Sequence, residues 1–366
     1  MKSYLEFESD IKVLEEELEK LKDPFNEEGI SEVDTQKISR IQSEIDSKLK
    51  ASYANLNEWQ ITQVARHEER PKAKFFIENL FTDFILLSGD RRFAEDSAVI
   101  AGFGLFEGKS VLVIGQEKGE DLDTRLKRNF AMMRPEGYRK CIRLMKLADK
   151  FNIPIITIID TPGAYPGVGS EKRGIAEAIA SSIDCMLSLR IPVIACITGE
   201  GGSGGAIALA SANKVLMLEN AIYSVISPEG AAEIIFKDPA KKEQAAKSLK
   251  LTASELLKLG VIDEIIQEPI VAHRNKEQVI SSIKAALIKY LEEFKNYTRE
   301  EIYEQRKKKF LQLGRQKSFT IFSKDEGGLV EKYNFLVLIK KSYLKYKHKI
   351  IIAFLLFLAV GIFLIK

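Results

Sequence analysis

The sequence ITGEGGSGGAIALA, at residues 197–210, follows an apolar run and precedes small helix-forming residues. Its glycines fit three different catalytic patterns. Residues 199–204 match the G-x-G-x-x-G of dinucleotide sites, and residues 201–205 match the G-x-S-x-G turn of serine hydrolases. In the third pattern, bare backbone N–H groups at a helix start stabilise a negative oxygen on a substrate. The segment therefore predicts a strand, a glycine loop and a helix.

The surrounding chain repeats this strand–loop–helix order. Continuous apolar runs at residues 110–116, 153–160, 191–198 and 214–220 predict strands, and patterns at residues 136–151, 171–189 and 204–212 predict helices between them. Further helices are predicted at residues 243–260 and 276–296. Strands that are apolar on both faces need cover on both sides, so the sequence predicts an α/β layered core.

A dinucleotide-dependent oxidoreductase is the main alternative function. A strand precedes Gly199, a helix follows, and Glu219 ends the next strand about 20 residues on. A dinucleotide fold needs one glycine loop, however, and this chain has a second one, DTPGAYPGVGSE at residues 160–171. The second loop weakens the dinucleotide interpretation.

A serine hydrolase would need an acid and a histidine after Ser203, and Asp263 and His273 occur in that order. His273 opens a predicted helix within a polar run, which favours a surface or capping histidine over a buried base. The hydrolase is the weakest of the three interpretations.

The third interpretation uses both glycine loops. Each loop lets the backbone approach a ligand, and the following helix start adds unpaired N–H groups and a favourable dipole. Two loops predict two separated oxyanion sites, as a reaction that passes an acyl or carboxyl group between two carbonyl compounds would need. Asp160 and Glu200, beside the loops, are expected to orient loop amides.

The charge balance and the cysteines of the chain indicate which partners and which cellular compartment to expect. Lys and Arg number 55 against 52 Asp and Glu, a balance that predicts no nucleic-acid partner. The three cysteines form no C-x-x-C pair, so no metal site is predicted and the thiols are expected to be buried in a reducing compartment. The acidic N-terminus does not resemble a secretory signal. We therefore expect a cytoplasmic body.

Four regions are predicted along the chain. Residues 1–56 form a helical hairpin, residues 57–296 the catalytic domain, residues 297–332 a charged helical extension and linker, and residues 333–366 a basic collar with an apolar tail. Residues 350–365 are uncharged and follow several lysines, which predicts a short membrane-inserted segment. The protein is accordingly expected to associate with membranes through this tail.

Several long motifs carry a family resemblance. They are LNEWQITQVARHEERP (56–71), RNFAMMRPEGYRK (128–140), IPIITIIDTPGAYPGVGSEKRG (153–174), GEGGSGGA (199–206), YSVISPEGAA (223–232) and PIVAHRN (269–275). In this order they resemble the α subunits of bacterial acetyl-CoA carboxylase carboxyltransferases, from about residue 4 to 315. The resemblance implies a crotonase-type ββα superhelix and transfer of a carboxyl group from carboxybiotin to acetyl-CoA, giving malonyl-CoA for fatty-acid synthesis.

The resemblance also implies roles for individual residues. The backbone amides of Gly163, Ala164, Gly204 and Gly205 would stabilise an oxyanion, holding the ureido oxygen of biotin or shaping its pocket. The pocket itself would include Gly201, Gly202, Tyr165, Pro166 and Gly167. Candidates for contact with the CoA phosphates or a partner are Arg128, Arg139 and Lys140. A ureido nitrogen of biotin would serve as the base, so that no histidine or cysteine is needed.

Partners follow from the same resemblance. A β subunit would carry a four-cysteine zinc ribbon and the cradle for the thioester enolate, in an α2β2 assembly with a biotin carboxyl carrier protein and biotin carboxylase. No covalently bound cofactor is expected in this chain. Two departures stand out: Ala131 replaces a glycine typical of the family, and the chain after about residue 317 lies outside the resemblance.

Overall fold

The computed structural model describes residues 3–22, 25–26, 29–30 and 34–314. These residues all belong to one compact unit, Met1–Phe322. Within the described part of the chain, no helix is both long and apolar enough to span a membrane. The predicted linker after residue 314 and the apolar tail at residues 350–365 lie outside the described residues.

One large mixed sheet forms the centre of the unit. Its spatial order is β10-β8-β7-β6-β5-β4-β3, with β9 pairing with β7. Neighbours from β5 to β10 run parallel, whereas β3, β4 and β5 are antiparallel. Strands β1 and β2 form a separate two-stranded ladder. The strands are β1 (Phe25–Asn26), β2 (Gly29–Ile30), β3 (Thr82–Leu86), β4 (Val99–Phe106), β5 (Lys109–Gln116), β6 (Ile155–Thr161), β7 (Val193–Gly202), β8 (Lys214–Leu218), β9 (Ile222–Ser224) and β10 (Glu264–Ile266).

Helices cover the sheet, and the predicted α/β class is confirmed. The predicted helix at residues 171–189 is two helices, because Gly174 adopts a left-handed φ of 78° between them. The helices are α1 (Ser9–Lys22), α2 (Thr35–Ala54), α3 (Glu58–Ala65), α4 (Ala73–Leu80), α5 (Leu122–Lys127), α6 (Pro135–Lys150), α7 (Val168–Lys172), α8 (Ile175–Ser188), α9 (Ser203–Ala210), α10 (Pro228–Ala231), α11 (Lys242–Leu249), α12 (Ala253–Lys258), α13 (Lys276–Phe294) and α14 (Arg299–Gln312).

Strands β6 and β7 are buried along their whole length. Their residues are mostly Ile, Val and Thr, which pack well when both faces of a strand are covered. The register holds from Ile155 opposite Val193 to Ile159 opposite Ile197, and then shifts so that Thr161 pairs with Gly201. Such irregularities re-aim side chains next to functional sites. This one lies where both strands enter their glycine loops.

The N-terminal hairpin packs around its own small core. Its buried side chains lie at the helical spacing that the sequence predicts and come from both helices: Ile11, Leu18, Ile41, Ile45 and Leu49. The Asp34 carboxylate caps α2 by accepting from the backbone N–H groups of Gln36 and Lys37. The predicted hairpin is therefore confirmed.

Two histidines stack beneath this hairpin. The rings of His67 and His273 are parallel, with centroids 3.8 Å apart. Ligand atoms of both histidines and of the buried Glu8 lie within 4.8 Å of one another. The Glu8 carboxylate already accepts from Tyr53, Arg274 and the Leu5 backbone N–H, and both His67 nitrogens have backbone partners. These contacts account for Glu8 and His67, whereas both nitrogens of His273 have no hydrogen-bond partner among the described residues.

Acid is expected to destabilise the protein through these histidines. The pKa of His273 is lowered to about 2 by burial, then by the neighbouring His67 and by the positive charges of Arg274, Arg70 and Lys276. Burial also lowers the pKa of His67. A histidine with a lowered folded pKa resists protonation, while the unfolded chain titrates near pH 6.5, so stability is lost as pH falls below about 6.5. For His273 alone the loss is about 2 kcal/mol at a pH of about 5.

Denaturant unfolding of wild type and His273→Phe at several pH values between 5 and 8 tests this expectation. Phenylalanine keeps the aromatic stack and does not titrate. The difference in the free energy of unfolding between the two proteins should change with pH below 6.5 and be constant above it. Parallel stability curves would show that His273 does not carry the effect.

Candidate functional site

The carboxyl ends of β5, β6 and β7 meet at one edge of the sheet, because these strands run parallel. The segments that follow them lie side by side: residues 116–118 after β5, residues 161–167 after β6, and residues 202–205 at the start of α9. Ligands in open α/β sheets bind outside this edge of the strands. Both glycine loops of the sequence are therefore brought to the expected edge.

The two glycine loops are in direct contact. A Cβ built on Gly205 would lie 2.6 Å from the Gly163 carbonyl carbon and 3.0 Å from the Ala164 nitrogen, and one on Gly202 would lie 2.1 Å from the Pro162 oxygen. No side chain fits at such distances, so glycine is required for the loops to approach. The two loops converge on one site, the cradle, formed by the backbone of Gly163, Ala164, Gly204 and Gly205. The prediction of two separated oxyanion sites is therefore wrong for these loops.

The amides at this cradle differ in their hydrogen bonding. Ser203, Gly204 and Gly205 form the first turn of α9, where helix N–H groups have no intrahelical acceptor, and no described side chain caps this helix start. The Gly163 N–H, by contrast, donates to the Thr161 hydroxyl over 3.2 Å. The expectation that Gly163 offers a free amide is therefore corrected, because its proton is already shared with Thr161.

The strained loop before α6 supports the same cradle. Asn129, Phe130 and Ala131 all have left-handed φ values, 65° at Ala131. The Thr161 hydroxyl donates to the Ala131 carbonyl over 2.7 Å. Left-handed backbone is costly for residues with a Cβ, which gives a physical reason for the glycine that the resemblance leads us to expect at position 131. Residues held in this way tend to cluster at functional sites.

Ser203 lines a cavity of about 630 Å³ beside the cradle. Its own backbone is left-handed, with a φ of 51°. Polar and apolar groups from four segments of the chain line this cavity: Arg66, Pro162, Glu200, Ser203, Val225, Ile226, Ser227 and Glu229. The YSVISPEGAA motif therefore supplies one wall of this cavity.

Charged groups form the polar wall of the cavity. The Arg66 guanidinium donates to Glu200 over 2.8 Å and to Glu229 over 2.6 Å. Burial lowers the pKa of Arg66, but the two carboxylates outweigh it and raise the pKa overall. Burial likewise raises the pKa of Glu229, and the hydrogen bond from Arg66 brings it below its usual value. Sequence reasoning assigned no role to Arg66, although it lies within the ARHEERP motif.

The remaining pocket candidates lie on the loop between β6 and α7. The Tyr165 ring faces the Arg134 guanidinium, 4.8 Å from its centroid, and the Tyr165 N–H donates to the Met133 carbonyl. A Cβ on Gly167 would lie 2.4 Å from the Tyr165 ring. Pro166 is exposed between them. The side chain of Tyr165 is thus fixed by its neighbours on this loop.

The three basic candidates have mainly structural contacts. Lys140 is fully buried, and its ammonium binds Glu95 and the carbonyls of Asp96 and Val99. Arg139 pairs with the buried Asp90 over 2.9 Å. The expected contact of Lys140 with CoA phosphates or a partner is wrong, because burial removes its charge from the surface, and Arg139 is largely neutralised. Arg128 donates to the Ser97 carbonyl, and its role stays a prediction.

The geometry supports neither the dinucleotide interpretation nor the serine hydrolase interpretation. Gly199 and Gly201 lie inside β7, so the G-x-G-x-x-G spans a strand and a helix start and does not form a phosphate-binding turn. Both His273 nitrogens are buried without a hydrogen-bond partner in the described part of the chain, and Asp263 binds Lys309 and the Val215 N–H. Ser203, Asp263 and His273 therefore form no triad. The prediction of a surface or capping His273 is also wrong, since its ring stacks on His67.

The fold and the paired glycine loops define an α/β protein with a glycine-loop site at the carboxyl ends of its parallel strands. The chain belongs to the acetyl co-enzyme A carboxylase carboxyltransferase-like family, which matches residues 4–314. The predicted crotonase-type fold is confirmed with this membership, and an oxidoreductase is not supported.

Curated relatives extend this assignment. The chain is 59% identical to the acetyl-coenzyme A carboxylase carboxyl transferase subunit alpha of Pelagibacter ubique, over 100% of this chain and 99% of that protein. It is 50% identical to the protein of the same name from Nitrobacter winogradskyi, over 86% of this chain and 98% of that one. The Pelagibacter alignment thus includes the residues after 317 that the resemblance leaves out.

Among solved structures, transcarboxylase 12S with bound methylmalonyl-coenzyme A is 20% identical to this chain, with a TM-score of 0.49. That match covers 60% of this chain and 42% of the other.

Proposed function

We propose that this chain is the alpha subunit of an acetyl-CoA carboxylase carboxyltransferase and forms the biotin-side half of its active site. The observation that carries the proposal is the cradle in which Gly205 packs against Gly163 and Ala164, in a chain that matches the family over residues 4–314. The proposed substrates are carboxybiotin, held on a carrier protein, and acetyl-CoA.

The donor set of the cradle fits the ureido group of biotin. The first-turn amides at Gly204 and Gly205, with the Ala164 amide beside them, offer N–H groups and a helix dipole to an oxygen that becomes negative. The adjacent cavity has both apolar and charged walls. Backbone donors need no reorganisation during the reaction, which makes this form of stabilisation effective.

Biotin itself supplies the carboxyl group and, through a ureido nitrogen, the base. In the overall reaction one N–C bond of carboxybiotin is replaced by one C–C bond of malonyl-CoA, and a methyl proton of acetyl-CoA passes to the biotin nitrogen. The chain's own task is to bind and orient the ureido oxygen and to exclude water. No side-chain nucleophile takes part in this scheme.

The other half of the site is assigned to a β subunit. That subunit would hold the thioester oxygen of acetyl-CoA and carry the zinc ribbon. The two subunits would form an α2β2 complex that binds the biotin carrier protein and biotin carboxylase. Attachment to membranes through residues 350–365 stays a prediction.

Reconstitution tests the proposed function. The purified chain alone should show no carboxyl transfer, while the chain mixed with a β subunit should convert malonyl-CoA and biotin to acetyl-CoA and carboxybiotin. The assay follows acetyl-CoA formation at a fixed biotin concentration. Full turnover by the isolated chain, or none by the assembled pair, would contradict the proposal.

Replacement of Ser203 separates this mechanism from that of a hydrolase. Ser203→Ala in the assembled enzyme should keep most of the wild-type kcat, because the proposed mechanism gives the Ser203 hydroxyl no chemical role. The measurement is the steady-state rate of carboxyl transfer, normalised to assembled complex. Removal of a nucleophilic serine costs about 10⁶-fold in kcat, so a loss of about a thousandfold or more with assembly intact would revive the hydrolase interpretation.

A further inference from the structure

The end of β5 and the segment after it contact the two glycine loops and the strand ends beside them through two side chains, Gln116 and Lys118. The Lys118 ammonium lies 2.7 Å from the Asp160 carboxylate and 3.3 Å from the Glu200 carboxylate. Asp160 is the next-to-last residue of β6, where one loop begins, and Glu200 lies in β7 just before the other loop. One lysine therefore ties together the two strand ends from which the loops arise.

The surroundings of Lys118 make this contact strong and specific. Its side chain is 13% exposed, against 2% for Asp160 and 9% for Glu200. Charged hydrogen bonds strengthen as water is excluded. The Asp160 carboxylate also accepts the Glu200 N–H over 2.8 Å, so the position of Asp160 sets the backbone of β7 at the register shift. Displacing the charge of Lys118 would therefore shift the β7 backbone at Glu200, just before the second glycine loop.

Gln116 makes the second contact. Its side-chain amide is fully buried and donates over 2.8 Å to the carbonyl of Gly205, the glycine that packs against Gly163. Among the described residues the Gln116 side-chain oxygen has no hydrogen-bond partner, so the group retains an unsatisfied acceptor while it holds Gly205. Burial of an unsatisfied polar atom costs free energy that an apolar side chain of similar size would avoid. A residue used only for packing has no reason to carry this cost.

We propose that Gln116 and Lys118 are positioning residues for the carboxyl-transfer reaction and hold the two glycine loops in the arrangement that catalysis requires. The inference rests on the proposed function, because it assumes that the cradle binds the reacting oxygen. Neither side chain needs to touch a substrate. Lys118 acts through Asp160 and Glu200, and Gln116 acts through the Gly205 carbonyl.

The test compares Lys118→Met with Lys118→Arg in the chain assembled with a β subunit. Lys109→Met is the matched control, because Lys109 begins the same strand and its ammonium forms only an exposed pair with Glu292. In Lys118→Met we expect kcat to fall about 10- to 100-fold, the loss that a displacement of about 1 Å causes, with the KM for acetyl-CoA unchanged. Lys118→Arg should recover most of kcat, and Lys109→Met should match wild type.

The pH profile adds a readout that a merely structural lysine would not change. Burial raises the pKa of Asp160, but Lys118 and then Lys72 outweigh it and hold the pKa below its ordinary value. Glu200 also faces Lys118, and Glu117 lies near enough to interact with Asp160. Without Lys118 the buried carboxyl group should protonate as pH falls toward neutrality. The kcat of Lys118→Met should then drop on the acid side, whereas wild type and Lys118→Arg should not share this drop.

The outcomes are distinguishable. Absence of transfer by the wild-type pair would refute the proposed function itself. An active wild type, with the kcat and pH profile of Lys118→Met equal to those of Lys109→Met, would overturn the positioning role. If Lys118→Met does not assemble, Gln116→Met takes its place, since this change leaves every charge intact. A fall in kcat at constant KM would support the proposal, and an unchanged kcat would refute it.

Discussion

Gly205→Ala is expected to lower the kcat for carboxyl transfer by the assembled enzyme about a hundredfold or more. The added methyl group would lie 2.6 Å from the Gly163 carbonyl carbon and 2.7 Å from its oxygen, both backbone atoms that cannot rotate away. The loops must separate to accept it, and a shift of about 1 Å in a catalytic group costs about a hundredfold in rate. Steady-state kcat, measured on complex isolated by size exclusion, gives the result.

Gly204→Ala is the matched control for this experiment. A Cβ at Gly204 meets only Ile179 side-chain atoms, at 3.5 and 3.6 Å, which is ordinary van der Waals contact. Both variants add one methyl group to the first turn of α9 and keep the backbone N–H. We therefore expect Gly204→Ala to retain most of the wild-type activity. Equal activities for the two variants would contradict the close approach of the loops as the basis of catalysis.

Arg70→Met is expected to produce the largest loss of stability. The Arg70 guanidinium, 1% exposed, forms two hydrogen bonds with the fully buried Glu268 carboxylate and donates to the Thr198 carbonyl. Removing one partner of a buried ion pair leaves an uncompensated charge and costs about 3–5 kcal/mol. The free energy of unfolding, measured in urea, should fall by this amount.

Arg190→Met serves as the control for that measurement. Arg190 pairs with Glu300 over 2.7 Å, but both side chains are more than half exposed. Exposed pairs contribute about 0–1 kcal/mol, so the same chemical change should have little effect. A small effect in Arg70→Met would mean that Glu268 is adequately satisfied by the Asn220 and Ala272 backbone N–H groups that it also accepts.

Local patterns in the sequence account for the predicted layers of the fold. Most strand and helix runs appear close to their observed bounds because burial on both faces leaves a continuous apolar run and helical amphipathicity leaves a regular spacing. The helix predicted at residues 243–260 is instead two helices, α11 and α12, because Lys250 between them adopts a left-handed φ of 51°. The boundaries at Gly174 and within β7 were missed, since a glycine that ends one helix and a glycine buried in a strand look alike in sequence.

The candidate site was predicted in part. Both glycine loops and the acids beside them could be found because glycine and the strand ends mark them in the sequence. Arg66 and Lys118 could not, since a basic residue in a polar segment resembles any solvated one. The polar stretch directly after β5 was the only local signal for Lys118. The burial of Lys140 and the stacking of His273 were likewise invisible to local patterning.

The sequence by itself determined the α/β class, the hairpin and the presence of two glycine loops, because these depend on residues within one turn or one strand of each other. Only the tertiary structure decided that the loops form one cradle and which charges support it. The Arg66–Glu200 contact joins residues 134 positions apart, and the Gln116–Gly205 contact joins residues 89 apart. Such contacts follow from strand order and register, which bring distant residues to one edge of the sheet and leave no periodic trace in the chain.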